Sequence, residues 1–369
     1  MKLCCFFNYG PHYREAIYHE IDNNFDTQFY FGKEVIEGEK CGIKKLDYSI
    51  FKKKPIEFKN KIILKHFVWR TKAWYLALKK YDTYIITGDF VYSYIPLLIF
   101  SKLLGKKVYG WGHGEKNRNS KIQFLIDFLY KSLDGFFVYS EGGKKRLTEL
   151  GYDGNKLHVI YNSLSTKINP TNYASLRSDI YVKHFRNNFP VFAFIGRLTP
   201  IKNLGKIIDS VKSLNDKGQP CNLILIGEGS EKKKLIEQVM ATGLESRVWF
   251  YGPCYNEKVN GELLYNADLC ICPGNVGLTA LHAMSYGLPV LSQNNFETQM
   301  PEYETIVPNK TGNLFEDGNF DDMLSKLSSW LTDHKSDRDL IRKNCYEMIN
   351  NKWNASAQIE IIKKVLNNG

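Results

Sequence analysis

Several absences narrow what this 369-residue chain can be. No apolar run reaches the 18 or so residues that a membrane-spanning helix needs. The opening MKLCCFFNYG is too short and too quickly interrupted for a signal peptide, and reads as a first strand. A cytoplasmic protein is therefore expected. The eight cysteines (4, 5, 41, 221, 254, 270, 272 and 345) form no CxxC pair and no Cys/His cluster with metal-ligand spacing. Buried free thiols follow, with no bound metal or other cofactor. Short repeats and low-complexity segments are also missing.

What is present is an alternation of strands and helices. Apolar strand candidates lie at 2–8, 27–31, 83–87, 107–112, 135–140 and 157–162, with helical spacing at 65–80, 93–104, 121–132 and 141–150. A polar stretch, Ser163 to Pro190, interrupts the rhythm. It then resumes with strands at 191–196, 223–227, 248–252, 269–272 and 289–292, separated by helices at 203–215, 231–241, 256–265 and 278–286. Helices at 321–331, 337–350 and 353–368 close the chain. Two tandem doubly wound α/β domains of Rossmann-like type are predicted. The expected division is 1–165, a linker at 166–189, 190–350, and a C-terminal helix at 351–369 packing back across the junction.

Charge is uneven. Positions 1–161 hold 27 Lys and Arg against 17 Asp and Glu, so +10 of the formal +11 lies there. Much of the excess falls in Phe51 to Lys80, where lysines alternate with Phe67, Trp69, Trp74, Tyr75 and Leu76. A membrane-facing surface, a solvated face over an ordinary core helix, and a nucleic-acid surface compete for this segment. No nucleic-acid motif accompanies the charge, so no nucleic-acid partner is expected, and peripheral membrane contact is slightly preferred.

Chemistry concentrates at strand ends. Pro273 to Pro289, PGNVGLTALHAMSYGLP, follows the apolar run Leu269–Cys272 and breaks before a helical pattern. A glycine-containing loop opening a helix offers free amides at a positive helix end, which suits a phosphate or diphosphate. It is equally what an ordinary strand-to-helix connection looks like. Gly196-Arg197-Leu198-Thr199-Pro200-Ile201-Lys202 follows another strand, and two fixed cations there can neutralise a diphosphate. Gly227-Glu228-Gly229 and Tyr251-Gly252-Pro253 end two more strands, each permitting close backbone approach of a ligand.

These pieces, in this order from about Val191 to Glu316, resemble the family 4 retaining glycosyltransferases of the GT-B fold. GRLTPIKNL, LILIGEGSEKKKL, VWFYG, NADLCICPG, GLTALHAMSYGLPV and NKTGNLF carry the resemblance. The N-terminal half matches through Trp111-Gly112-His113-Gly114, Val138 to Glu141 and Val159 to Ser163. The resemblance implies two domains facing across a cleft and metal-independent transfer of a sugar from a UDP- or GDP-type nucleotide sugar. The acceptor would be a glycan or lipid-linked hydroxyl, in surface polysaccharide synthesis. His113, Arg197 and Lys202 would be catalytic. The donor would meet Gly196, Gly227, Glu228, Gly229, Tyr251, Gly252, Pro253, Gly274, Asn275, Val276, Gly277, Leu278, Thr279 and His282, and the acceptor Gly10, His12 and Asp89.

One departure stands out. The family carries two glutamates eight positions apart on this stretch, and here those positions are Gly274 and His282. Asn275, Thr279, Glu297 and Glu302 are candidate replacements. The missing glutamates also motivate an alternative, a catalytically inactive relative that binds a nucleotide sugar or a partner transferase. A different enzyme on the same plan, such as a nucleotide-sugar epimerase, is disfavoured because no acid/base pair flanks a sugar carbon.

Overall fold

The computed structural model describes residues 1–34, 43–63, 67–88, 93–114, 123–164, 175–333 and 337–368. The chain divides into two compact units, Met1–Ser165 with Asn354–Gly369, and Thr166–Trp353.

The first unit contains β1 (Lys2–Phe7), α1 (Glu15–Asn24), β2 (Asp26–Gly32), β3 (Ile56–Phe58), β4 (Asn60–Ile63), β5 (Phe67–Arg70), β6 (Thr83–Thr87), α2 (Tyr94–Leu103), β7 (Lys107–Gly112), α3 (Gln123–Ser132), β8 (Gly135–Val138), α4 (Glu141–Glu149) and β9 (Leu157–Val159). Its main sheet runs β3-β2-β1-β6-β7-β8-β9, parallel throughout. Successive strand side chains point to opposite faces, so a strand buried on both faces reads as a continuous apolar run. β1 shows this. Cys4 and Phe6 join Leu97, Leu98, Leu129 and Leu133 on one face, while Leu3, Cys5 and Phe7 join Ile17, Tyr18 and Ile21 on the other. That second face also receives Ile359, Ile362 and Leu366 of the C-terminal helix, Ala355–Asn368. Burying each stabilises by about 1.5–3 kcal/mol. Gln358 registers the same helix: its Nε2 donates to the Tyr161 carbonyl at 2.6 Å, and Ser163 Oγ donates to its Oε1 at 2.6 Å.

The helix expected at 65–80 does not form over its described part. β5 pairs antiparallel with β4, and a 3₁₀ turn follows at Ala73–Leu78. β-branched and aromatic residues favour the pleated strand here. The corner is fixed by Arg70, fully buried, whose guanidinium donates to Thr87 Oγ1 and Tyr94 Oη. The lysine–aromatic alternation is thereby split. Ala73, Leu76 and Ala77 enter the core, while Trp74, Leu78, Lys79 and Lys80 stay outside.

The second unit contains α5 (Ile180–Phe185), β10 (Val191–Ile195), α6 (Gly205–Asp216), β11 (Asn222–Ile226), α7 (Lys232–Thr242), β12 (Val248–Gly252), α8 (Glu257–Asn266), β13 (Leu269–Cys272), α9 (Leu278–Ser285), β14 (Val290–Gln293), β15 (Gly312–Phe315), α10 (Phe320–Asp333) and α11 (Arg338–Asn351). The described part of the Ser163–Pro190 stretch from Ser175 onward belongs to this unit. Tyr181 Oη donates to the Leu263 carbonyl at 2.6 Å, and Asn266 Nδ2 donates to the Leu176 carbonyl at 2.7 Å. The sheet is parallel, in the order β12-β11-β10-β13-β14-β15. Strand order therefore reverses between β10 and β13. In an open α/β sheet, the crevice beyond the carboxyl ends of such a pair is where ligands bind.

The described cysteines are free, and all but Cys254 are buried. No helix among the described residues is long and apolar enough to cross a membrane.

Candidate functional site

The site is assembled on β10 and β13. Arg197 leaves the end of β10 exposed and forms no ion pair among the described residues. Lys202 follows in a 3₁₀ turn, Pro200–Lys202, closed by Asn203 in the left-handed region at φ 51°. From there its Nζ donates to the Asn275 carbonyl at 2.5 Å and the Val276 carbonyl at 3.2 Å. The two loops are also joined along the backbone: Gly274 N donates to Lys202 O at 3.0 Å, and Asn275 N to Ile201 O at 3.3 Å.

This joining explains Gly274. A Cβ there would lie 1.9 Å from the Ile201 carbonyl oxygen and 2.8 Å from Lys202 Cα. No side chain fits, glutamate included. Gly227 obeys the same constraint, since its Cβ would lie 1.8 Å from the Gly196 carbonyl oxygen. At the Gly227 turn the sequence suggests close backbone approach of a ligand. At Gly227 and Gly274 the approaching group is the neighbouring loop's own backbone.

The far side of the Gly274–Gly277 loop is held by Gln299. Its Oε1 accepts from Val276 N at 2.9 Å, and its Nε2 donates to Ser292 Oγ at 2.8 Å and Gln293 O at 2.9 Å. Thr279 Oγ1 donates to the Ile195 carbonyl at 2.7 Å, fastening the start of α9 to the end of β10. Gly277, at φ 54°, precedes α9, and Leu278 is its first residue. Thr279 is buried, so this bond makes it a brace between the two strands. Glu228 is exposed and paired with Lys232 at 2.8 Å. Tyr251, Gly252 and Pro253 follow at the end of β12, with Tyr251 against the Trp249 ring at 5.2 Å between centroids.

His282 is not alone on α9. Its Nε2–H donates to Glu257 Oε2 at 3.1 Å. The Tyr286 hydroxyl reaches the same oxygen at 2.7 Å, and Asn260 Nδ2 donates to Oε1 at 3.1 Å. Burial pushes the Glu257 carboxyl up, but the bonds from His282, Tyr286 and Asn260 outweigh it and hold the group down at about 2. A carboxylate thus stands beside residue 282, delivered by the first turn of α8. Sequence reasoning missed it, because Glu257 and His282 lie 25 positions apart and only the fold joins them. Of the other proposed replacements, Glu297 is exposed on a loop, and Glu302 is buried within the Pro301–Thr305 turn.

The remaining expected residues belong to the first unit. His113 follows β7, with its ring 4.9 Å from that of Tyr139. Gly10 is buried against the Phe31 ring, and its carbonyl accepts from Leu46 N at 2.9 Å. His12 N donates to Lys44 O at 3.0 Å, and the His12 ring nitrogen Nδ1 lies 3.2 Å from the same oxygen. Asp89 lies outside the described residues. Among the described residues no group of three or more His, Cys, Asp or Glu is placed to hold a metal.

Residues 178–346 match the family described as Glycosyl transferases group 1. The chain is 26% identical over 229 residues to the sulfoquinovosyl transferase SQD2 of Arabidopsis thaliana, covering 60% of this chain and 42% of that protein. It is 25% identical over 225 residues to the lipopolysaccharide 1,6-galactosyltransferase of Salmonella typhimurium, covering 60% of this chain and 57% of that one. It thus spans about half the length of these relatives. Among solved structures, Anabaena HepE in complex with UDP superposes with a TM-score of 0.74 at 17% identity, covering 100% of both chains. The apo lipopolysaccharide outer core galactosyltransferase WaaB gives 0.73 at 19% identity, covering 100% of this chain and 99% of that one. These likenesses show the same two-domain α/β fold over the whole chain.

Proposed function

We propose that this chain, which carries a glycosyl transferases group 1 domain over residues 178–346, transfers a sugar from a nucleoside-diphosphate sugar to a hydroxyl of a glycan or lipid-linked acceptor. The observation that carries this reading is the reversal of strand order between β10 and β13, with exposed Arg197 on one loop and Lys202 bound to the other. An ammonium has three donors and Lys202 spends two on carbonyls, which leaves one for a diphosphate oxygen.

The chemistry is charge neutralisation at the leaving group. The bond from the sugar anomeric carbon to the diphosphate oxygen breaks, and its electron pair leaves with the diphosphate. The acceptor oxygen bonds to that carbon from the same face, and its proton passes to the departing phosphate, so configuration is retained. Negative charge on the diphosphate grows toward the transition state, so preformed cations stabilise it more there than in the ground state. Arg197 and Lys202 are assigned this work without a metal, and His113 is assigned to the donor sugar. Glu257, held by His282 and Tyr286, keeps acceptor capacity on Oε1 for a donor hydroxyl, the service the absent glutamates would otherwise give. UDP in the HepE structures favours a uridine donor. The lipopolysaccharide and poly(ribitol-phosphate) transferases among the relatives favour a surface-polysaccharide acceptor.

Turnover of a UDP- and GDP-sugar panel on free and lipid-linked glycans, read by mass spectrometry, tests the proposal. Product that forms in excess EDTA and keeps the donor's anomeric configuration supports it. Donor binding with no product from any acceptor would favour the inactive relative, the reading that Gly274 and His282 motivate.

A further inference from the structure

Eight of the fourteen exposed large apolar side chains among the described residues fall between positions 74 and 128. They are Trp74 and Leu78 on the 3₁₀ turn, Ile99, Phe100, Leu103 and Leu104 on and just after α2, and Phe124 and Phe128 on α3. Leu103 is 75% exposed, Phe124 70% and Leu78 64%. The turn packs against α2, and α2 against α3, so the three elements form one layer. α2 sends Leu97, Leu98 and Ser101 inward, while Ile99, Phe100 and Leu103 lie on its outer side. α3 buries Leu129 and presents Phe124 and Phe128, one turn apart. Scattered single apolar residues on a surface are ordinary, but a connected group of this kind marks an interaction face.

The exposed charges around it are mainly positive. Lys79, Lys80, Lys102 and Lys131 are exposed beside the apolar residues. The nearby acids are bonded into their own fold. Asp82 accepts from Lys2 N at 2.7 Å, Asp127 from Tyr152 Oη at 2.6 Å, and Asp134 from Val108 N at 2.7 Å. A second copy of the same face would set lysines against lysines, which disfavours self-association. α2, at ten residues, is about 15 Å long, half the hydrocarbon thickness of a bilayer, so it can lie on a membrane but not cross it.

We propose that the outer layer formed by the 3₁₀ turn, α2 and α3 docks this chain on an anionic lipid bilayer, with Leu103, Phe124 and their neighbours entering the interface and the four lysines meeting lipid phosphates. Apolar insertion and basic attraction together are what reversible peripheral binding requires. The proposal goes beyond the transfer reaction and stands independently of it.

Vesicle co-sedimentation of the full chain tests it, with phosphatidylcholine vesicles compared to phosphatidylglycerol-containing ones. The chain should sediment with the anionic vesicles and far less with the neutral ones. Lys102→Ser and Lys131→Ser should each weaken binding about five-fold at low salt, and Leu103→Ser and Phe124→Ser about tenfold each at any salt. Since all four residues are exposed, unchanged circular dichroism and melting will show that the variants fold. Failure to sediment with anionic vesicles would overturn the proposal, as would full binding by the Leu103→Ser/Phe124→Ser variant. So would a dimer in analytical ultracentrifugation that this double variant dissolves, since the face would then be a contact between copies. Turnover on a water-soluble acceptor reports the transfer reading separately.

Discussion

The loops after β10 and β13 and the outer layer of α2 and α3 use their residues in opposite ways. At the loops, polar side chains fix backbone: Lys202, Gln299 and Thr279 each bind carbonyls or amides of the neighbouring segment, and Gly274 yields its side chain so that two backbones can touch. On the outer layer, large apolar and cationic side chains are left uncovered. Substitutions of these bracing residues should therefore change stability and chemistry together, and those on the outer layer should change neither.

The largest effect is expected at the cations. Arg197→Ala and Lys202→Ala should each lower kcat by about 10²–10³-fold, the range seen when one charge-stabilising donor is removed. They should differ in melting. Lys202→Ala frees two carbonyls from a charged donor and should also lower Tm, whereas exposed Arg197→Ala should leave Tm unchanged. Near-normal turnover in either would place the diphosphate elsewhere.

Next is Gly274→Glu, which restores the residue type the resemblance expects. The 1.9 Å approach to the Ile201 carbonyl turns it into an overpacking change costing about 1–3 kcal/mol or more. Calorimetry should show Tm falling by about 2–4 °C per kcal/mol. A stable, more active Gly274→Glu would show that the loops are not locked together.

Glu257 should give a smaller effect, defined by pH. Its carboxyl is held at about 2 in the fold, against an ordinary value of 4.5. Its contribution to stability is therefore complete above pH 4.5 and is lost as pH falls toward about 2. Denaturant titrations of wild type and Glu257→Gln should diverge above that window and converge within it. Parallel curves would mean that the carboxylate does not depend on His282, Tyr286 and Asn260. Least affected should be Leu103→Ser, with stability within about 0.5 kcal/mol and unchanged turnover on a soluble acceptor.

The sequence made the strand–helix rhythm of both units readable, because buried parallel strands leave continuous apolar runs such as Phe192–Ile195 and Leu223–Ile226. It also made the strand-end loops readable, because glycine, Arg197 and Lys202 stand where such loops begin. What it concealed depends on neighbours distant along the chain. β5 and the turn after it looked helical because their lysine and aromatic spacing fits either period until Arg70 is anchored on Thr87 and Tyr94. Gly227 looks like an opening for a ligand, since a glycine shows only that something comes close. Glu257 and Gln299 gave no local signal. Each reaches its partner across 23 or more positions, through the packing of separate βα units.

The central claim is that the crevice at β10 and β13 binds a nucleoside diphosphate through Arg197 and Lys202. Thermal stability with UDP and with GDP, for wild type and for the Arg197→Ala/Lys202→Ala variant, tests it most directly. One of the two nucleotides should stabilise the wild type by about 2.7 kcal/mol at 100 times its Kd, and the shift should vanish in the double variant. No shift with either nucleotide, or an equal shift in the double variant, would contradict the account.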